Sequence, residues 1–115
     1  MTAMRLVTGD VTWPESTAIA ADRVISGSPR ASTLVLHESG ACQLGLWNVT
    51  EGEFTTDHAG YVEYIHILGG RGRLVDLDGN VTHLSAGVTV LMDEGWNGRW
   101  VVEETISKSY TTVNQ

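Results

Sequence analysis

The sequence predicts an all-β sandwich or barrel, and three observations carry that reading. Short runs rich in β-branched and aromatic residues recur at intervals of about 8–12 residues, with turn residues between them. Glycine is frequent, at 13 of 115 residues, and falls between those runs. No stretch alternates strands with helices in the manner of a parallel sheet.

Taken in order, the N-terminal region is the least defined. "PESTAIAADRVI", from Pro14, permits a helical turn, whereas Val24-Ile25 favours extension. Residues 1–29 are expected to form an extended arm or edge strands. "STLVLHES" (32–39) is a strand, and "CQLGLWNVT" (42–50) is a second, with Leu44 and Leu46 alternating against Gly45, Trp47 and Val49. "YVEYIHIL" (61–68) is a third. "RLVDLDGNVTHL" (73–84) reads as a hairpin, because Asp78-Gly79-Asn80 tolerates positive φ. "GVTVLM" (87–92) follows. "GRWVVEET" and "SKSYTTV" are expected to close the chain as a final hairpin.

The length and composition fit one domain over 1–115, with a barrel core over about 30–113. A chain 42% hydrophobic and 18% charged can bury a core. No apolar run reaches membrane-spanning length, and the N-terminal stretch carries no leader-like apolar segment. Cys42 is the single cysteine, so no internal disulfide forms, which suits a reducing cytoplasm. A net charge of -7 argues against nucleic acid, where Lys and Arg must neutralise phosphates, and against anionic membrane surfaces.

The residue that asks for chemistry is Glu63, a single acid inside an apolar strand. Alternation puts Glu63, Ile65 and Ile67 on one face and Val62, Tyr64, His66 and Leu68 on the other. Both faces are largely apolar, so both are expected to be covered, one by the barrel interior and one by a sheet or a partner subunit. If Glu63 points inward, its carboxylate must be paired with a cation, bound to a metal or protonated. If it points outward, it is a solvated surface side chain.

At these residues the chain resembles the cupins. Their first motif has the form G-x5-H-x-H-x3 or x4-E-x6-G, and Glu63 with Gly70 fits its second half. The second has the form G-x5-P-x-G-x2-H-x3-N, and Gly87, position 93 and Gly95 fit its spacing. Gly45-Leu46-Trp47, Gly52 and "GWNGRWVVEETISK" (Gly95–Lys108) are similar to the DUF861 (Cupin_3) subgroup. That subgroup includes ureidoglycine aminohydrolase-type and ethanolamine-utilisation-type proteins. The match runs over roughly residues 20–113.

The resemblance implies a jelly-roll barrel, a homodimer and a ligand pocket inside the barrel. It makes Glu63 and His58 candidate ligands of a divalent metal (Mn, Fe, Ni or Zn), with His83 a possible third. The chain departs from the metal-binding pattern at three places. Thr56 or Gly60 stands at the other first-motif histidine, Asp93 at the proline and Gly98 at the second-motif histidine. Two surviving ligands are few for a tight site. His37 and His66 are weaker candidates than His83.

Trp47 and Trp100 become pocket-lining residues by the same resemblance, though core packing explains them as well. Lys108 shares a strand face with Ile106 and Tyr110. If that face is inward, Glu63 is its natural partner; if outward, it is an edge-strand lysine. Tyr61 adds a hydroxyl. The expected function is binding of a small carboxylate or ureide in a pocket of Glu63, His58, Trp47, Trp100, Lys108 and Tyr61. The alternative is a metal-dependent hydrolase similar to ureidoglycine aminohydrolase.

Overall fold

The computed structural model describes residues 2–115. Among them, nine strands form one curled antiparallel sheet. They are β1 (Thr17–Ala18), β2 (Val24–Gly27), β3 (Arg30–Ser39), β4 (Cys42–Val49) and β5 (Gly52–Asp57). Next come β6 (Tyr61–Asp76), β7 (Val81–Ser85), β8 (Thr89–Met92) and β9 (Asn97–Asn114). The order is β1-β3-β4-β9-β5-β2, with β6 along β9 and with β7 and β8 on β6. The all-β expectation holds. No helix among the described residues is long and apolar enough to cross a membrane.

The final hairpin is corrected to a single strand, β9. Between Thr105 and Ser107 there is no glycine, proline or asparagine to reverse the chain, so it stays extended. The 61–68 and 73–76 segments likewise merge into one strand, β6. Both strands bend at the same level. The β6–β9 register shifts around Gly69–Gly72, and Gly70 takes φ +90°. A Cβ there would meet the Thr105 carbonyl, so only glycine allows this approach. Beyond the bend β9 changes partner, from β5 over 97–102 to β4 over 106–113.

The hairpin at 73–84 forms as read. Gly79 takes φ +85°, and the Asp76 carboxylate accepts the backbone N–H groups of Asp78 and Asn80. β5 is not announced by any pattern, since Phe54 is its one large apolar residue. In the N-terminal region both open readings appear in part. A 3-10 turn covers Ala21–Arg23, and Val24 begins the extended β2.

This N-terminal region also bridges the two ends of that strand order. β1 pairs with β3 and β2 with β5, at opposite ends of the strand order, and only residues 19–23 separate them. Arg30 donates to Ser16, and the Ser32 hydroxyl donates to the Pro14 carbonyl, which fixes the start of this strap.

The core lies on the inner face, where Phe54, Ile65, Ile67, Leu74, Met92, Trp100 and Ile106 are buried. On β6 the alternation puts Glu63, Ile65 and Ile67 inward. The outer face, where a partner subunit is expected, leaves Leu44, Tyr64 and Leu91 exposed.

Candidate ligand-binding site

The inner face encloses a cavity of about 390 Å³. Glu63, His58, Trp47, Trp100, Lys108 and Tyr61 all line it. β6 delivers Tyr61 and Glu63, β4 delivers Trp47, and β9 delivers Trp100 and Lys108, each by strand parity. His58 sits in the turn between β5 and β6. Its backbone N–H donates to the Trp96 carbonyl at 2.8 Å, and its carbonyl accepts from Gly95 at 3.0 Å. The imidazole is therefore positioned by backbone.

Glu63 and Lys108 form the centre of the site. Lys108 Nζ donates to Glu63 Oε2 at 2.8 Å, with both side chains almost fully buried. The ammonium also faces aromatic rings, 4.3 Å from the Trp47 centroid, 4.9 Å from Trp100 and 5.9 Å from Tyr110. Ring quadrupoles and one carboxylate thus replace its lost hydration. Burial still pulls the Lys108 pKa down, against the opposing pull of Glu63.

His58 Nε2 lies 3.6 Å from Glu63 Oε1, too far for a hydrogen bond. Its ring stacks on Tyr61 with centroids 4.6 Å apart and meets the Trp96 indole edge-on. Desolvation lowers the His58 pKa, outweighing the Glu63 carboxylate, so the imidazole is neutral at pH 7. Its buried Nδ1 has no hydrogen-bond partner among the described residues. Burial raises the Tyr61 and Tyr110 phenols, followed by repulsion from Glu63, so both keep their protons. Tyr110 crosses over Gly45, where a Cβ would clash with its hydroxyl, and donates to Gln43 Oε1 at 2.7 Å.

Sequence reasoning passed over Gln43, Tyr110, Thr112 and Arg23, which also line the cavity. Parity would have found the first three, since Gln43 shares a face with Trp47, and Tyr110 and Thr112 share one with Lys108. Arg23 lies on the 3-10 turn of the strap, where no periodic pattern points to it.

The family model described as the EutQ-like cupin domain matches residues 36–110, well over half of the chain. The chain belongs to this cupin family. A DUF861-family protein of unknown function from Pseudomonas syringae pv. tomato superposes with a TM-score of 0.80 at 21% identity. That match covers 90% of this chain and 45% of the other, so this cupin spans less than half of that relative's length. The EutQ protein of Clostridium difficile gives a TM-score of 0.67 at 20% identity, over 85% of this chain and 80% of its own. A putative ethanolamine utilization protein from Salmonella typhimurium gives 0.66 at 14%, over 90% and 98%. At these identities the likeness is one of fold. No curated protein matches the sequence.

The donor set of this cupin does not fit a mononuclear transition-metal centre. Glu63 and His58 share the cavity, but no group of three or more His, Cys, Asp or Glu converges among the described residues. Gly98, at the second-motif histidine position, offers no side chain. The Trp96 indole packs against it, 2.9 Å from where a Cβ would stand. Thr56, the other first-motif position, lines the cavity but supplies only a hydroxyl. His83 does not join them. It is exposed on β7, opposite Arg73. His37 is exposed on β3, and His66 hydrogen-bonds Thr89 on the other face of β6. The cation beside Glu63 is the Lys108 ammonium.

Proposed function

We propose that the barrel binds a small polar organic molecule of carboxylate or ureide type in the Glu63–Lys108 pocket without a metal. The observation that carries this reading is the buried ion pair open to an aromatic-walled cavity. Such a pocket offers convergent polar groups on an apolar lining, the usual make-up of a small-molecule site. Glu63 Oε1 makes no hydrogen bond among the described residues and can accept a ligand N–H. Lys108 spends one donor on Glu63 and keeps two. His58 Nδ1 and the Tyr61 hydroxyl add neutral polar groups.

Calorimetric titration of the protein with N-carbamoylglycine, N-acetylglycine and urea tests the proposal. Saturable binding that weakens by about tenfold or more in Glu63→Gln is expected, the cost of one charge-assisted hydrogen bond. Failure of every probe to bind overturns it.

The second reading is a metal-dependent hydrolase of a ureide, for which the proximity of Glu63 and His58 is the supporting observation. It requires near-stoichiometric divalent metal in the purified protein, lost in both Glu63→Gln and His58→Ala. Elemental analysis of the three proteins decides between the readings.

A further inference from the structure

We propose that Arg23 is the carboxylate anchor of this pocket and makes it selective for an anionic ligand carrying an uncharged donor at its far end. The inference rests on the ligand-binding reading above and adds a residue outside the span matched by the family model.

Besides His58, the acidic and basic side chains that line the cavity are Arg23, Glu63 and Lys108. Glu63 and Lys108 neutralise each other at 2.8 Å. His58 is neutral. Arg23 is therefore the uncompensated charge, and among the described residues it forms no salt bridge. Its Nε donates to the Thr55 carbonyl at 2.9 Å, and its guanidinium lies over the Phe54 ring at 5.7 Å. These two contacts fix the plane of the fork and, among the described residues, leave its terminal amino groups without an acceptor. A planar fork held this way presents paired donors to a carboxylate. The field of Arg23 reaches the site, since it opposes protonation of His58 and favours ionisation of Tyr61.

The strap explains the fixed position. The Arg23 backbone N–H donates to the Ala20 carbonyl, and β2 follows directly, paired to β5. A ligand carboxylate at Arg23 leaves the opposite end of the molecule for Glu63 Oε1, which accepts an N–H or O–H. A second ligand charge is disfavoured there, because the ion pair already balances itself.

The test is a matched pair of probes differing only in the carboxylate: N-acetylglycine and N-acetylglycinamide. Affinities are measured at pH 7.5 by calorimetry on wild type, Arg23→Gln and Arg23→Lys. Wild type is expected to favour the acid by about tenfold, the value of a bidentate charged contact over a neutral one. Arg23→Gln is expected to bind both probes equally, with the loss of affinity falling mainly on the acid. Arg23→Lys, which keeps the charge but not the fork, is expected to retain part of the preference. Thermal unfolding of each variant checks that the strap remains closed. Undiminished preference in folded Arg23→Gln overturns the anchor, as does equal binding of both probes by wild type, and either result leaves the pocket reading standing. Absence of binding of both probes to wild type overturns the anchor, and the pocket reading falls with it only if N-carbamoylglycine and urea also fail to bind.

Discussion

Two ion pairs join the same two strands at the same distance, and their surroundings are opposite. Glu63 of β6 meets Lys108 of β9 at 2.8 Å, with side-chain exposures of 9% and 6%. Arg71 of β6 meets Glu103 of β9 at 2.8 Å, with exposures of 59% and 40%. The inner pair has exchanged water for each other and for the aromatic faces of Trp47 and Trp100. The outer pair keeps most of its water. Geometry alone makes them equivalent; solvent makes them different in kind. The inner pair costs desolvation and is suited to meeting a ligand, whereas the outer pair merely decorates the bend where β9 changes partner.

The comparison is broken most severely by removing one inner partner. Lys108→Met leaves the Glu63 carboxylate buried without a counter-ion, and unfolding in urea at pH 7.5 should show a loss of about 3–5 kcal/mol. Removing both charges, as Glu63→Leu with Lys108→Met, should bring stability back to within about 1 kcal/mol of wild type, since an apolar pair no longer pays desolvation. The double variant should fold and bind none of the carboxylate or ureide probes. A single variant that loses less than about 1 kcal/mol would place the inner pair in the same class as the outer one.

How much of this was legible depends on the pattern each residue sits in. Alternation along 61–68 gives the facing of Glu63 relative to Ile65 and Ile67, and parity gives that of Lys108 relative to Tyr110. Neither says which face is inner. That is decided by pairing, with β9 between β4 and β6. The single strand β9 was hidden because "EET" at 103–105 is polar and looks like a turn. It is polar because the strand bends outward there, opposite Gly70, and its side chains meet water and Arg71. Arg23 was hidden because a 3-10 turn has no period long enough to read. Its place on the cavity wall follows from the strap that spans from β3 to β5 through β1 and β2, a long-range fact. The missing second-motif histidine is the reverse case, legible as Gly98 before any geometry.

A smaller effect separates the two regions by pH. Desolvation holds the His58 pKa below its ordinary value, with Glu63 and Asp57 pulling it up and Lys108 and Arg23 pushing it further down. The unfolded imidazole takes a proton near pH 6.5, whereas the folded one resists it. Acid therefore favours the unfolded chain, and stability that is full above about pH 7 falls as pH drops through about 6.5. The contribution grows as pH falls from 7 to 5.5 and stays below the limit of about 1.4 kcal/mol per pH unit for one proton. It is read as the difference between wild type and His58→Gln in urea unfolding across that range. Parallel pH curves for the two proteins would show that His58 titrates as freely folded as unfolded.

The smallest effect is expected at the outer pair, although it is the more elaborate one. Glu103 takes Arg71 Nε on one carboxylate oxygen and Arg73 Nη1 on the other at 3.2 Å, and Arg71 also lies 3.7 Å from Glu104. Two cations on one carboxylate suggest strength by count. Every partner is at least a third exposed, however, so water competes for each bond and long side chains lose rotamer freedom to make them. Arg71→Ala should cost no more than about 1 kcal/mol. Most of that cost should vanish in 1 M salt, where the screening length shrinks to about 3 Å. Lys108→Met should keep its deficit in the same salt, because buried charges are screened much less than exposed ones. A salt-insensitive loss at Arg71 would mean that its aliphatic stem, rather than its charge, holds the bend between β6 and β9.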